Sequence, residues 1–116
     1  MNEKLTTKRL KALADPTRLK IVRILAELPD DHVGFDPRCG TAYGVCFCHL
    51  EERLGLSKPT VSHHLRVLRE AGVIEAVRVG RWTYYRLLAA SIEGIIADMA
   101  YLRPSQKFVR LEFPAS

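Results

Sequence analysis

Three cysteines, Cys39, Cys46 and Cys48, lie within ten residues of a chain of 116. An odd number in so short a stretch is typical of a metal or redox site in a reducing compartment, not of a disulfide framework. Three thiolates suit a soft ion, such as trivalent arsenic or antimony. Zinc or cadmium prefers a fourth ligand, for which His32 and His49 are candidates. We therefore expect As(III) or Sb(III) to be the ligand, with Cd, Pb or Zn as alternatives.

The spacing of Cys46 and Cys48 sets a geometric condition on that site. In a regular helix, residues i and i+2 point about 200° apart, because each residue turns by about 100°. Two such sulfurs cannot bind one ion, so co-ligation requires that the first turn of the helix starting here is distorted or not helical. Two other interpretations remain open: small core residues, and a thiol pair that acts as a redox switch.

Composition and charge restrict the class of protein. The length allows one domain, residues 1–116, whose surface is large relative to its core. Dimerisation would bury additional apolar surface and so stabilise it. No apolar run approaches the roughly 20 residues needed to span a bilayer. The first residues carry no hydrophobic secretory signal, so we expect a cytoplasmic protein without a membrane partner. The net charge of +5 and the pI near 9.4 favour an anionic partner, of which nucleic acid is the most common.

Apolar periodicity and capping residues predict the elements that position these groups. Asp15 before Pro16 is typical of a helix start, and Ser57 marks another. The second helix should bury a stripe that includes Leu19 and should end before Pro29. Aromatic and β-branched runs on either side of a glycine turn predict a hairpin. The predicted elements are helices over 4–14, 16–28, 47–54, 58–71 and 90–102, a loop over 30–45, and strands over 73–79 and 82–87.

Two of these helices are joined by a short turn at Gly55, which is the helix-turn-helix arrangement, and the hairpin that follows makes it a winged helix. The predicted fold is mainly α with a small β-hairpin, in the order ααααββα. The polar N-terminal half of the recognition helix, 58–71, should reach base edges in the major groove. The predicted DNA-contacting residues are Lys58, Thr60, Ser62, His63 and Arg66 on this helix, and Arg78, Arg81 and Tyr84 on the wing. We expect His64 to serve in packing or capping.

The segments LKALADPTRLKIVRIL and CFCHLEERLGLSKPTVSHHLRVLREAGVIEAVRVGRWTYYRL resemble the ArsR/SmtB family of metal-sensing bacterial repressors, over roughly residues 8–88. The resemblance implies a homodimeric winged helix whose first and last helices, about 4–14 and 90–102, form the dimer interface. It also implies that the apo protein represses by binding operator DNA and is released when its ligand binds.

The resemblance extends to the cysteines. Family members that sense arsenite, cadmium or lead carry C-x-C where this chain has VCFCHL. Arsenite sensors with the tightest cluster have another cysteine three residues after the second. That position is Glu51 here, and Cys39 is the natural substitute. SmtB-like members hold a His- and Asp-rich site on the last helix, where this chain has Asp98 and no histidine, so we expect no second site.

The sequence therefore predicts an arsenite-responsive transcriptional repressor. We do not expect an enzyme, because no segment presents a nucleophile with a base and an orienting group. A metal-binding chaperone that uses the same cysteines is the alternative from a different class. It would need neither the polar recognition face nor the basic wing.

Overall fold

The computed structural model describes residues 1–27 and 44–104, and over these the chain forms five helices and a three-stranded sheet. The elements are α1 (Glu3–Leu13), α2 (Pro16–Ala26), β1 (Val45–Cys46), α3 (Phe47–Leu54), α4 (Lys58–Glu70), β2 (Ile74–Val79), β3 (Trp82–Leu87) and α5 (Ala89–Tyr101). This order confirms the mainly α winged helix-turn-helix. The predicted end of α2 at Pro29 lies outside the described residues, as does the predicted loop except for its last two residues.

Side-chain caps explain where three of the helices begin. Asn2 accepts a hydrogen bond from the Leu5 backbone N–H, and Asp15 accepts one from that of Arg18, both at 3.0 Å. Ser57 caps α4 by accepting from the Thr60 N–H at 3.4 Å. Each cap satisfies an amide that the helix itself leaves unpaired. The capping residues that the sequence indicated, Asp15 and Ser57, therefore fix the starts of α2 and α4.

The sheet is antiparallel, with the strand order β1-β3-β2. Strands β2 and β3 form the predicted hairpin around Gly80, whose positive φ of 60° suits a glycine in a tight turn. Strand β1 was not predicted, and it corrects the expected strand pattern. It pairs with the other side of β3, with Val45 opposite Tyr85 and Cys46 opposite Tyr84.

The core lies where α2, α3 and α4 pack against the sheet. Among its most buried side chains are Ile21, Leu50, Leu68 and Ile74, each at most 1% exposed. The predicted stripe of α2 is wrong at Leu19, which is 55% exposed. Ile21 and its neighbours carry the buried face instead, since α2 is covered on the side that faces α3, α4 and β3.

Candidate nucleic-acid interface and thiol site

Helices α3 and α4 are joined by a tight turn that fixes the start of the recognition helix. Gly55 ends α3 in the left-handed region, at φ 64°, and its N–H donates to the Glu51 carbonyl at 3.0 Å. Helix α4 then buries one face through Val61, Leu65 and Leu68. The five residues predicted to contact DNA from this helix are all exposed: Lys58, Thr60, Ser62, His63 and Arg66.

Two contacts order the exposed face of α4. The Thr60 hydroxyl lies 2.8 Å from that of Ser57, so it is partly engaged by the cap. An Arg66 guanidinium nitrogen lies 3.3 Å from His63 Nδ1. Arg69 was not predicted, yet it lines one cleft of about 340 Å3 together with His63 and Arg66. Its spacing of three from Arg66 is the signal that identifies it, because residues i and i+3 share a helix face.

The wing carries two exposed arginines at its tip. Arg78 Nε donates to the Gly80 carbonyl at 3.3 Å. The Arg81 guanidinium carbon lies 5.2 Å from the centroid of the Trp82 ring, a cation–π contact that orders it. Tyr84 is different: it is 2% exposed and packs with Cys46. This corrects its assignment to the DNA-contacting surface, because Tyr84 is buried in a cluster with Cys46, Cys48 and Trp82.

His64 links the recognition helix to α2. Its Nδ1 lies 3.3 Å from an Arg18 guanidinium nitrogen and 3.9 Å from Asp15 Oδ2. Arg18 Nε also donates to the Ala12 carbonyl at 2.6 Å, at the end of α1. The backbone hydrogen bond from Arg18 lowers the pKa of Asp15 below its usual value, with the positive charge of Arg18 adding to the effect. This cluster ties three helices together, as the packing role expected for His64 requires.

The cysteines of the C-x-C motif sit at the junction between sheet and helix. Cys46 ends β1 in an extended conformation, at φ −67° and ψ 145°, and is the N-cap residue of α3. Cys48 lies in the first turn of α3. Because only Cys48 is helical, the two side chains converge, and the Cys48 Sγ–H donates to Cys46 Sγ at 2.9 Å. Both are present as thiols. The condition derived from the spacing is therefore met without distortion of α3, because the helix begins after Cys46.

The remaining candidate ligands are placed differently. Cys39 and His32 lie outside the described residues. His49 follows Cys48 in α3 and is half-buried. Over residues 1–27 and 44–104, no group of three or more His, Cys, Asp or Glu side chains could hold a metal ion. The described part of the chain thus brings two soft sulfur atoms together and places no third group of these types beside them.

One cleft joins the thiols to the predicted DNA-binding residues. It has a volume of about 400 Å3. Its lining includes Cys46, Cys48 and Glu51 together with the cationic residues Lys58 and Arg81. The rest of the lining is Phe47, Ser62, Trp82, Thr83 and Tyr85. Burial raises the pKa of Tyr85, so its phenol stays neutral at physiological pH. A ligand on the thiols would therefore lie against the surface predicted to meet DNA.

Helices α1 and α5 pack on each other through a polar contact. The Thr6 hydroxyl donates to Asp98 across them. Exposed apolar side chains also lie on α1, on α5 and directly after α5, namely Leu5, Leu10, Ile96, Met99 and Leu102, which are 37% to 58% exposed. Among the described residues, no helix is long and apolar enough to cross a membrane.

Comparison with known proteins identifies relatives of the whole arrangement. Residues 45–76 match the family model described as bacterial regulatory protein, arsR family. The chain is 33% identical to the arsenic resistance transcriptional regulator ArsR1 of Pseudomonas putida over 81% of this chain and 69% of that one. It is 38% identical to the transcriptional repressor SdpR of Bacillus subtilis, over 74% and 79% of the two chains. Among solved structures, HlyU from Vibrio cholerae matches the fold with a TM-score of 0.62 at 24% identity, covering 89% of this chain and 98% of that one.

Proposed function

The chain belongs to the ArsR family of bacterial regulatory proteins, and from this premise we propose that it is an arsenite-responsive transcriptional repressor. Its family and fold are those of DNA-binding regulators, not of enzymes. In our proposal the apo homodimer binds operator DNA in the cytoplasm. It leaves the DNA when As(III) or Sb(III) binds Cys39, Cys46 and Cys48. The observation that carries the inducer proposal is the 2.9 Å approach of the Cys46 and Cys48 sulfurs beside the recognition helix.

The exposed polar face of α4 and the arginines of the wing support DNA binding. In winged and helix-turn-helix proteins, the N-terminal half of the recognition helix enters the major groove, and a dimer reads two half-sites about one helical turn apart. We assign this role to Lys58, Thr60, Ser62, His63 and Arg66. Arg78 and Arg81 would bind the phosphate backbone or the minor groove, since guanidinium groups suit both.

The apolar faces of α1 and α5 support dimerisation through these two helices. A domain of this size buries a modest fraction of its surface alone. Ile96 and Leu102 are 57% and 58% exposed, and contact between their apolar surface and water is unfavourable unless a partner covers it. A second copy that packs on the same helices would cover them.

The position of the thiols suggests how a ligand reaches the DNA interface. Cys46 pairs with Tyr84 in β3 of the wing, and Cys48 lies in the first turn of α3, the first helix of the helix-turn-helix. An ion held by both sulfurs, with Cys39 supplying the third, fixes the angle between these two units. A coupling free energy of about 1–3 kcal/mol is enough to change DNA affinity by 5- to 150-fold.

The inducer is tested by arsenite-driven release of a fluorescent operator duplex. We expect the wild type to release DNA and the Cys46→Ser/Cys48→Ser variant to stay bound, with unchanged affinity in the absence of arsenite. If the double variant still leaves the DNA when arsenite is added, the inducer site is wrong. The same assay with Sb(III), Cd(II), Pb(II) and Zn(II) separates the soft trivalent ions from divalent ions that would recruit His49 or His32 as a fourth ligand.

The DNA interface is tested by single substitutions at fixed salt. Lys58→Ala and Arg81→Ala should each weaken operator binding by about 1–3 kcal/mol, which is roughly 5- to 150-fold. Lys20→Ala is the matched control, because Lys20 is an exposed lysine of α2 outside the proposed interface. Unchanged affinity in both interface variants would remove the assignment. A metal-binding chaperone, in contrast, would give no specific mobility shift with its own promoter DNA.

A thiol redox switch is a second candidate function, and the same sulfur contact favours it. The two sulfurs need to approach from 2.9 Å to the bonding distance of about 2.05 Å to form a disulfide. Hydrogen peroxide would oxidise the Cys48 thiol to the sulfenic acid and would itself be reduced to water, and the Cys46 thiol would then displace a second water to form the disulfide. We expect peroxide to release DNA, and dithiothreitol to restore binding, only if this candidate is correct.

A further inference from the structure

The cleft beside Cys46 and Cys48 is larger than a bare ion requires. Its volume of about 400 Å3 lies in the range of about 300–1,000 Å3 that is usual for pockets that bind small organic molecules. Its lining also includes charged side chains that would not be needed to bind a bare ion: Lys58 and Arg81 are cations, and Glu51 is an anion. These charges match an organic group attached to the ion better than they match the ion alone.

We propose that the inducer occupies this cleft as a trivalent arsenic thiolate that keeps one anionic low-molecular-weight thiol. This inference rests on the proposed function and names the inducer more closely. An arsenic tris-thiolate reacts with the Cys46 and Cys48 thiols: two arsenic–sulfur bonds to the small thiol break and two to the protein form. Each departing thiolate takes the proton of one cysteine and leaves as a thiol. Arsenic remains trivalent, so no oxidant or reductant is needed.

The charges of the cleft select the class of thiol. Carboxylates of the retained thiol would pair with Lys58 and Arg81, since lysine binds them as a point charge and arginine in a bidentate manner. Glu51 would accept hydrogen bonds from an ammonium group. A thiol with more carboxylates than ammonium groups, of which glutathione is an example, fits this set. The retained thiol supplies a third sulfur, so Cys39 is not required when it is present.

The same cations explain why such a ligand would oppose DNA binding. Lys58 and Arg81 are among the residues that we assign to operator contact, and each cation that neutralises a phosphate contributes to DNA affinity. A bound carboxylate neutralises them and occupies the entrance between α4 and the wing. Release would therefore follow from direct competition in each protomer, in addition to any change in the wing.

The test compares three small thiols of different charge on protein carrying Cys39→Ser: 3-mercaptopropionate, 2-mercaptoethanol and 2-aminoethanethiol. After incubation with arsenite, native mass spectrometry measures the adduct that contains protein, arsenic and one thiol. We expect the anionic thiol to give at least 10-fold more adduct than the cationic one. Because the thiols also differ in basicity, the preference is read relative to a Lys58→Gln variant in the same background, where it should fall below threefold.

Lys20→Gln is the matched control and should keep the full preference. Equal adduct for all three thiols, or the same preference with Lys58→Gln, would overturn the inference. A separate measurement, the release of operator DNA by the wild type when arsenite is added, tests the proposed function independently of the adduct. If arsenite releases DNA but the adduct shows no preference among the thiols, the retained thiol is rejected and the proposal of an arsenite-responsive repressor stands. A selective adduct without any release of DNA supports the ligand cleft and rejects the arsenite-responsive repressor.

Discussion

Gly44 provides a sharp test of how the thiol site is held. It precedes β1, has a φ of 123°, and an added Cβ would lie 2.6 Å from the Tyr85 carbonyl oxygen. That oxygen belongs to the backbone of β3, so it cannot rotate away as a side chain could. Gly44→Ala must therefore move β1 away from β3, and Cys46 moves with it because it is the last residue of β1.

The magnitude follows from two costs. A non-glycine residue in so sparsely populated a backbone region costs about 1–3 kcal/mol. Separation of β1 from β3 adds the loss of its backbone hydrogen bonds, at about 1 kcal/mol each. We expect a total of about 2–4 kcal/mol. Gly80→Ala is the control, because Gly80 also has a positive φ, 60°, but its added Cβ would meet no atom within 4 Å among the described residues beyond its chain neighbours. It should cost about 1–2 kcal/mol.

The assay is chemical denaturation followed by circular dichroism, at one protein concentration because a dimer's stability depends on it. A titration with arsenite, followed by the absorbance of the arsenic–thiolate bonds, then measures the affinity of the thiol site for arsenite. Gly44→Ala should weaken arsenite binding by at least 10-fold, equivalent to about 1.4 kcal/mol, whereas Gly80→Ala should leave it unchanged. If the two variants have equal stability and equal arsenite affinity, the pairing of β1 with β3 does not hold the thiol site.

Three further predictions follow from other parts of the molecule. Asp15→Asn keeps a capping side chain on α2 but removes the titrating group. Because the pKa of Asp15 is lowered in the fold, the carboxylate stabilises the folded protein above the unfolded pKa of about 3.9. That stabilisation is lost as the pH falls through the folded pKa. Wild-type melting temperatures should thus fall more steeply than those of the variant from about pH 5 to pH 3. Ile96→Glu should shift the protein to a monomer in sedimentation velocity, whereas Leu19→Glu, at a similarly exposed position on α2, should not. Arg66→Ala should weaken operator binding in a fluorescence titration by about 1–3 kcal/mol, and its salt slope shows whether it binds a phosphate or a base.

Local signals in the sequence were sufficient for most of the fold. A capping residue and a proline define the start of α2, a serine cap defines that of α4, and glycines at the ends of α3 and β2 set the turns. These features act within a few residues, so they can be read without knowledge of the rest of the chain. The helix over Phe47–Leu54 was predicted with its observed boundaries.

The errors lie where distant parts of the chain meet. Strand β1 has two residues, and only its pairing with β3, almost 40 positions later, makes it a strand. The burial of Tyr84 has the same origin. Neighbouring residues of a strand point to opposite faces: Tyr85 lies in the main core, and Tyr84 packs in a separate cluster with Cys46 and Cys48, which lie almost 40 positions earlier. Nothing in WTYYRL indicates that packing.

The start of α3 is where a ligand can act with most effect. Helices α1, α2 and α4 each begin with a side-chain cap, whereas α3, like α5, begins without one. A missing cap leaves the first turn less stable by about 1 kcal/mol, so its position depends on the pairing of β1 and on packing. In our proposal, an ion that bridges Cys46 and Cys48 would replace those weak constraints with covalent ones. Because α3 leads through one glycine turn into α4, a small change at that first turn is carried directly to the recognition helix, and we place the control of DNA binding there.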